Sequence, residues 1–422
     1  MDAATYQTYT HILLRELVPA MGCTEPIAVA YAAAVATREL GQLPKKIEII
    51  VSANIIKNVK SVIVPNTGGL HGLEAAAAAG ILAGDPDKKL LVISQVTDAQ
   101  KAQMKDYLQE ADFSVKESSS ETLFDIVIRL EKADHSSLCQ ISGGHTNIVK
   151  VVRDGKILLE KTVEPAKPEV CDDLSLLKIE TIVDYADQVT IEDVEQVLSQ
   201  QIRCNMAIAQ EGLTNPYGAR VGQVLLSSRE NDTITRAKAY AAAASDARMG
   251  GCELPVVINS GSGNQGITAS VPVVIYARDT GATEEQLYRA LVVSNLVTLH
   301  LKSGIGPLSA YCGAISAGCG AAAGITYLQG GKFREVAHTV VNAIAINSGV
   351  ICDGAKASCA AKIASAVEAG ILGMEMFRKG SQFYGGDGIV SKGVENTIRN
   401  ISQLASEGMR HTDAEIIKIM LS

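Results

Sequence analysis

The sequence lacks tryptophan, and aromatic residues make up only 4% of its 422 residues. It also lacks a basic excess, because 38 Lys and Arg residues stand against 46 Asp and Glu residues, a formal net charge of −8. Binding to nucleic acid or to an anionic membrane requires a positive surface that neutralises phosphates. We therefore expect neither as a main partner. The 47% hydrophobic and 20% charged residues are typical of a globular protein with a large core.

The first residues contain no secretory signal, since they lack its basic start and its uninterrupted apolar run. The cysteines number nine, and an odd count in a large chain argues against a disulfide framework. We therefore expect a cytoplasmic protein whose cysteines are thiols.

Charge is absent from residues 303–331, which suggests a membrane-spanning helix at first. The stretch contains Pro307 and eight glycines, however, and a spanning helix of about 20 residues would be more apolar. We interpret it as a pair of buried core helices.

The order of the sequence patterns predicts an α+β fold. Residues 1–43 indicate two helices joined by a tight turn, with Thr24 as the helix N-cap. Residues 46–164 alternate apolar and polar positions as strands do, and the chain after residue 172 is mostly helical in pattern. We expect an α/β lobe packed on a larger, mostly helical catalytic domain. The predicted parts are a helical segment 1–45 that packs on the catalytic domain, an α/β lobe 46–168 that ends in a linker at Pro165–Pro168, and a helical domain 169–422.

The elements expected within these parts follow from periodicity and turn residues. The predicted strands are Lys46–Val51, Lys89–Ile93, Phe124–Leu130, Thr146–Val152 and Lys156–Val163, the last two joined as a hairpin by Asp154-Gly155. The predicted helices are His71–Leu82, Ala99–Glu110, Ile191–Gly212, Thr233–Met249, Thr283–Leu301, Phe333–Asn347, Ala355–Leu372 and Thr412–Met420. Capping-box patterns at Thr283 and Thr412 support two of the helix starts.

Four cysteines, at positions 312, 319, 352 and 359, fall within 48 residues. Such clustering indicates either a metal site or buried thiols. Cys352 and Cys359 would lie about 10 Å apart along a continuous helix, so a break at Asp353-Gly354 is needed for both to reach one centre. The short Cys spacings of structural zinc sites are missing, and dispersed thiolates suit an iron–sulfur cluster better. Spacing alone leaves open whether Cys312 or Cys319 takes part.

Cys23 lies in the predicted turn before Thr24-Glu25-Pro26, at the start of a helix. The helix dipole would favour its thiolate there.

Three polar, glycine-rich loops are further candidates. Asn259–Gly266 follows an apolar run, and its free backbone N–H groups could hold a small anion such as a carboxylate. Pro65–Gly69 and Ser142–Asn147 are weaker candidates, because ordinary β-turns have the same composition. A plain turn is the alternative for all three.

The motifs taken together resemble the L-cysteine desulfidase family, which is related to the iron–sulfur L-serine dehydratases, nearly from end to end. The resemblance rests on Gly22–Pro26, Pro65–Gly69, Tyr311–Gly313 and Val350–Cys359. It implies that Cys312, Cys352 and Cys359 ligate a [4Fe-4S] cluster with one iron open to substrate, and that Cys23 is the catalytic base. It further implies elimination of L-cysteine to pyruvate, ammonia and sulfide. The predicted substrate-binding residues are Asn66, Thr67, Gly68, His145, Ser262, Asn264 and Gln265.

One departure concerns the end of the chain. Some serine dehydratases return a C-terminal cysteine to the cluster, whereas this sequence ends in Lys418-Ile-Met-Leu-Ser422. The resemblance therefore implies a cluster without that ligand.

Three alternatives stay open from the sequence. An L-serine dehydratase would use the same cluster. A pyridoxal phosphate lyase would catalyse the same elimination, but the sequence contains no recognisable motif for a Schiff-base lysine. A non-enzymatic iron–sulfur sensor would need a surface that binds a partner. The expected partner is a small amino-acid substrate, and a homodimer is the assembly that we consider.

Overall fold

The computed structural model describes residues 1–120, 122–161, 174–306 and 308–421. Cys171 and the predicted linker at Pro165–Pro168 lie outside the described residues. The predicted α+β class is confirmed, since a mixed sheet with its own helices lies beside a larger helical part.

The strands of the described residues form two sheets. They are β1 Pro19–Met21, β2 Lys46–Val51, β3 Asp112–Glu117, β4 Asp125–Lys132, β5 His135–Ser142, β6 Ile148–Arg153, β7 Lys156–Glu160 and β8 Pro255–Val257. The six-stranded sheet has the order β3-β2-β4-β5-β6-β7, in which β2 and β3 are parallel and the other neighbours antiparallel. β1 and β8 form a separate antiparallel pair.

The helices make up most of the remaining described chain. They are α1 Ala3–Glu16, α2 Thr24–Leu40, α3 Ala53–Val59, α4 Leu73–Ala83, α5 Asp98–Glu110, α6 Ile179–Gln188, α7 Glu195–Thr214, α8 Val221–Ser228, α9 Thr233–Met249, α10 Gly263–Thr280, α11 Glu284–Ser303, α12 Gly313–Leu328, α13 Phe333–Asn347, α14 Cys359–Arg378, α15 Val394–Gln403 and α16 Arg410–Leu421. Among them, no helix has the length and hydrophobicity needed to cross a bilayer.

The N-terminal segment 1–45 divides between the two parts of the molecule. α1 packs on the helical part, where Tyr9 donates a hydrogen bond to the carbonyl of Leu176 and its ring contacts Tyr185. α2 instead packs on α4 and on β4 and β5. It approaches α4 closely, since a Cβ at Gly80 would lie 2.1 Å from the carbonyl oxygen of Ala30. The two helices of the segment therefore contact different parts of the molecule, and its assignment to the catalytic domain stays a prediction.

Small residues allow close packing at the centre of the helical part. A Cβ at Gly320 would lie 2.5 Å from the carbonyl of Ser294, and one at Gly324 would lie 2.6 Å from that of Ala290. α12 therefore lies directly on α11, in a core that has few aromatic residues.

Several element predictions are corrected. Lys89–Ile93 is not a strand: Asp85 and Pro86 start a 3₁₀ turn over Pro86–Leu91, and the apolar residues after it are buried without pairing. The uncharged stretch 303–331 contributes a single helix, α12, rather than a helix pair. Thr412 does not cap a helix, because α16 already begins at Arg410. β3 and β5 were not predicted.

Other predictions are confirmed. The hairpin at Asp154-Gly155 joins β6 to β7. Thr283 and Gln286 form the predicted capping box of α11. The boundaries of the three predicted parts stay predictions.

Candidate functional site

A cavity of about 110 Å³ lies between the first turns of α2, the helix α3 and the helical part. Four cysteines, four charged side chains and several polar side chains line it, and we call it the cysteine cavity. Its lining includes Cys23, Cys312, Cys352, Cys359, Glu25, Lys57, Arg248, Lys302, Asn58, Ser262, Asn264 and Gln265. The fold thus brings together the predicted base, the three predicted cluster ligands and three of the predicted substrate-binding residues.

Four helix N-termini point to this cavity through their first residues. Cys23 is the N-cap of α2, Ser262 of α10 and Cys312 of α12, and Cys359 is the first residue of α14. None of the three N-cap side chains accepts a capping hydrogen bond from the backbone N–H groups of its own helix. Helix N-termini carry partial positive charge and unpaired N–H groups, so the cavity favours anions although the chain as a whole is acidic.

The prediction that Thr24 is the N-cap of α2 is wrong by one residue. Thr24 is the first residue of the helix, and its hydroxyl donates a hydrogen bond of 2.9 Å to the carbonyl of Gly261. This bond ties the start of α2 to the Asn259–Gly266 loop.

Cys312 and Cys352 lie on two short segments joined by an antiparallel bridge. The Cys312 amide donates to the Val350 carbonyl at 3.1 Å, and the Cys352 amide donates to the Ala310 carbonyl at 2.6 Å. The Cys312 thiol donates a hydrogen bond to the Cys352 sulfur, which lowers the pKa of Cys352 and raises that of Cys312. The charges of nearby Lys57 and Lys302 lower the pKa of Cys352 further.

The chain between Cys352 and Cys359 is a loop, as the spacing argument required. α13 ends at Asn347, as predicted, and α14 begins at Cys359 rather than at the predicted Ala355. Gly354 turns this loop with φ +91°, and a Cβ there would lie 2.5 Å from the carbonyl oxygen of Lys57. Only glycine meets both conditions without strain.

The thiols fit a cluster better than a single metal ion. Among the described residues, no group of three or more Cys, His, Asp or Glu side chains could hold one ion. A cubane binds each thiolate at a different iron, and Cys312, Cys352 and Cys359 all line this one cavity. Cys319 is buried in α12 and does not line the cysteine cavity.

Cys23 is buried and hydrogen-bonded to a carboxylate. It is 2% exposed, and its sulfur donates a hydrogen bond of 3.0 Å to Oε2 of Glu25. Burial and the negative charge of Glu25 raise the pKa of Cys23 well above its ordinary value, and the charge of Arg248 only partly opposes them. Burial and the charge of Glu25 therefore oppose the predicted effect of the helix dipole, and a catalytic role of Cys23 stays a prediction.

Three buried cations line the cysteine cavity. Lys57 forms an ion pair of 2.5 Å with Asp413 of α16, and Lys302 donates a hydrogen bond of 2.5 Å to the carbonyl of Gly306. Burial lowers the pKa of Lys302 to about 8. Arg248 is 2% exposed, and its Nε has no hydrogen-bond partner among the described residues.

The sequence reasoning missed Glu25, Lys57, Arg248 and Lys302. One signal in the sequence could have indicated a buried charge: Arg248 follows the run of alanines in α9, where a charged residue is unexpected.

The Asn259–Gly266 loop reaches the cavity through its second half. The Asn259 side chain is buried and donates to the backbone and side-chain oxygens of Asn295. Ser262, Asn264 and Gln265 line the cavity, and the side-chain oxygens of Asn264 and Gln265 have no partner among the described residues. Polar atoms that are buried without partners in this way indicate a polar ligand.

The Pro65–Gly69 loop does not reach the cavity. Asn66 donates a hydrogen bond of 2.8 Å to the carbonyl of Ile93, and Thr67 donates one of 2.6 Å to that of Val64. Gly68 has φ +71° and nothing near the position of a Cβ. Pro65 packs on Gly22, next to Cys23. The loop therefore supports the turn that carries Cys23, and contact of its residues with substrate stays a prediction.

His145 lies behind the loop rather than in the cavity lining. Its ring packs against Phe124 with centroids 4.7 Å apart, and its Cε1 would lie 3.0 Å from a Cβ at Gly261. Burial lowers the pKa of His145, and its Nε2 has no partner among the described residues. A direct role in substrate binding stays a prediction.

Comparison with known proteins places this chain in a family. A family model described as "Serine dehydratase alpha chain" matches residues 87–418. A UPF0597 protein of Desulfitobacterium hafniense is 58% identical over 417 residues, covering 99% of this chain and 97% of the relative. A UPF0597 protein of Lachnoclostridium phytofermentans is 47% identical, and the match covers 99% of this chain and 100% of the relative. A UPF0597 protein of Treponema denticola is 43% identical, and the match covers 100% of this chain and 99% of the relative.

Proposed function

The chain belongs to the serine dehydratase alpha-chain family, and on that premise we propose that it is an iron–sulfur-dependent L-cysteine desulfidase. Family membership indicates a dehydratase or ammonia-lyase kind of enzyme, and the choice of L-cysteine is our proposal. The observation that carries it is the position of Cys23 in the same cavity as Cys312, Cys352 and Cys359.

The proposed reaction removes a proton from Cα of L-cysteine and breaks the Cβ–S bond. The electron pair of the Cα–H bond forms the Cα–Cβ double bond, and the thiol leaves as sulfide. The product, 2-aminoacrylate, tautomerises to an imine, which water hydrolyses to pyruvate and ammonia.

Cys312, Cys352 and Cys359 are the residues that would hold a [4Fe-4S] cluster. When bound, the cluster supplies a Lewis-acidic iron at the cavity. The positive charges of Lys57 and Lys302, which line the same cavity, stabilise the thiolate of Cys352 that such a cluster requires.

Cys23 and Glu25 form the proposed proton acceptor. Their hydrogen bond of 3.0 Å holds one proton between the Cys23 sulfur and Oε2 of Glu25. When this proton has left through Glu25 to solvent before the substrate binds, the sulfur can accept the proton from Cα of the substrate while Glu25 stays charged. The small, buried cavity limits the access of water to that sulfur.

L-serine is the second candidate substrate, because the matched family model carries the name of serine dehydratase. The same residues would then remove water instead of sulfide. The two reactions differ only in the leaving group at Cβ, so a direct comparison of the substrates separates them.

The test is anaerobic purification followed by iron and acid-labile sulfide analysis and turnover assays. We expect about four irons per chain and equal amounts of pyruvate and sulfide from L-cysteine. A higher kcat/KM with L-serine would make the protein a dehydratase instead. An iron-free protein that eliminates at the wild-type rate, or an iron-replete protein that acts on neither amino acid, would contradict the proposal.

A further inference from the structure

We propose that Arg248 and Glu25 form a zwitterion clamp that binds the α-carboxylate and the α-ammonium group of one amino acid in the cysteine cavity. The clamp would explain how an amino-acid substrate is recognised, and this inference rests on the proposed function. It leaves the β-substituent of the bound amino acid as the part free to face the three cysteines.

Arg248 is a buried cation without a counter-ion. It lies at the end of α9, is 2% exposed and lines the cavity. Among the described residues it has no ion pair, and its Nε has no hydrogen-bond partner. A buried charge without a partner is costly, so an anionic ligand at this place would remove a large penalty.

The guanidinium lies against the N-terminus of α10. A Cβ at Gly263 would be 2.3 Å from Nε and 2.8 Å from Cζ of Arg248, so the glycine makes room for the side chain. The N-cap Ser262 makes no capping bond. Arginine provides a planar pair of donors that matches a carboxylate, and the helix N-terminus adds N–H groups and partial positive charge.

Glu25 is the complementary anion. Its carboxylate accepts hydrogen bonds from Cys23 at 3.0 Å and from Asn58 at 3.2 Å, and the Thr24 hydroxyl lies 3.1 Å from Oε2. These neighbours are neutral, and no cation in the described chain forms an ion pair with Glu25. Its charge is thus held in place but not compensated, as a site for an ammonium group requires.

The two charges flank the proposed proton acceptor. The charge of Glu25 raises the pKa of Cys23, and the charge of Arg248 lowers it. The two charges have the same respective effects on the pKa of His145. They do not form an ion pair with each other. A ligand that pairs with both charges therefore lies beside the Cys23 sulfur, where its α-carbon has to be for proton removal.

The other two cations of the cavity are engaged elsewhere. Lys57 is paired with Asp413, and Lys302 donates to Gly306 and acts electrostatically on Cys312 and Cys352. Arg248 is thus the cation that remains for a carboxylate.

The experiment measures binding by isothermal titration calorimetry on the anaerobically purified full-length protein. The ligands are L-alanine, which has no β leaving group, L-alaninamide, which lacks the carboxylate, and L-lactate, which lacks the ammonium group. The variants are Arg248→Met and Glu25→Gln. The matched controls are Arg278→Met, an exposed arginine in the last turn of α10, and Glu74→Gln, an exposed glutamate in the first turn of α4.

We expect the wild type and both controls to bind L-alanine at least tenfold more tightly than either analogue. Arg248→Met should lose the preference for L-alanine over L-alaninamide and keep its preference over L-lactate. Glu25→Gln should show the reverse pattern. Iron content is measured for each variant, so that a loss of the cluster is not mistaken for a loss of binding.

Two results would overturn the clamp: a wild type that does not distinguish the three ligands, or variants that keep both preferences. Its failure is separable from that of the proposed function. If the preferences change as expected but L-cysteine is not converted, the clamp stands and the reaction is wrong. If L-cysteine is converted while Arg248→Met keeps both preferences, the reaction stands and the clamp is wrong.

Discussion

The loops Pro65–Gly69 and Asn259–Gly266 have similar compositions but opposite hydrogen-bonding states. In the first, Asn66 and Thr67 use their side chains to bond nearby carbonyls. In the second, Asn264 and Gln265 keep side-chain oxygens without partners at the wall of a cavity. The first loop thus serves the fold. The second leaves binding capacity for a ligand, which composition alone does not reveal.

The same contrast separates the cysteines. Cys312 and Cys319 belong to the same helical segment, yet Cys312 lines the cavity beside Cys352 whereas Cys319 is packed in the core. Residues of one type can therefore be compared in pairs, one at the cavity and one in the scaffold.

The largest expected effect concerns these two cysteines. Cys312→Ala removes a proposed cluster ligand, so we expect loss of iron and of turnover. Cys319→Ala removes a buried sulfur away from the cavity, so iron and most activity should remain, with a stability cost of about 1 kcal/mol. Iron analysis and turnover assays check both. An iron-free Cys319→Ala beside an iron-replete Cys312→Ala would reverse the assignment.

The two asparagines give the next effect. Asn264→Ala should raise KM about 5- to 150-fold, because a hydrogen bond to a charged group contributes roughly 1–3 kcal/mol. Asn66→Ala should leave KM near the wild-type value but lower the free energy of unfolding by about 1–2 kcal/mol. Steady-state kinetics and urea denaturation measure the two quantities. Equal KM values in both variants would make the Asn259–Gly266 loop a plain turn.

Two glycines form a third pair: Gly354 lies in the loop between Cys352 and Cys359, and Gly349 lies just before Cys352. Gly354→Ala would place a side chain at φ +91° and 2.5 Å from the Lys57 carbonyl, at a cost of about 1–3 kcal/mol. Gly349→Ala should have little effect, because nothing lies within 4 Å of its added Cβ. We expect partial loss of iron in Gly354→Ala only, measured as iron per chain after purification. Equal iron contents would show that the loop tolerates both changes.

Asp246 is a buried carboxyl group away from the cavity lining, and we expect it to make the stability of the protein depend on pH. Burial raises the pKa of Asp246 to about 6 in the folded protein, above its ordinary value of 3.8. The folded state therefore holds the proton more tightly, and this contribution to stability is lost as the pH rises through 6. Relative to Asp246→Asn, the wild type should lose about 1 kcal/mol of unfolding free energy between pH 5 and 7. Parallel pH profiles in urea denaturation would contradict this.

Strong local patterns made much of the fold predictable. β2 alternates clearly, with Ile47, Ile49 and Val51 buried, and its bounds were predicted. β5 was missed because one of its buried positions is Ser137, whose hydroxyl donates to the carbonyl of Ala36. An inward serine looks polar in a sequence, and only the contact with α2 shows that it belongs to the core.

The cysteines of the site were predictable from their spacing and from the family resemblance, but its charges were not. Whether Arg248 has a counter-ion depends on contacts with α10, and whether Glu25 has one depends on α3. These contacts join positions that are far apart in the chain. No local pattern reports them, so the charge arrangement of the cavity became visible only in three dimensions.

In the proposed function, L-cysteine loses its thiol in the cysteine cavity with Cys23 as the proton acceptor. The most direct test is the rate of sulfide release from L-cysteine by the wild type and by Cys23→Ser, each with its iron content measured. We predict equal iron contents and a rate at least 100-fold lower in the variant, because the serine hydroxyl has a far higher pKa than the thiol. A Cys23→Ser protein that keeps the wild-type rate, or one that loses its iron, would contradict the account.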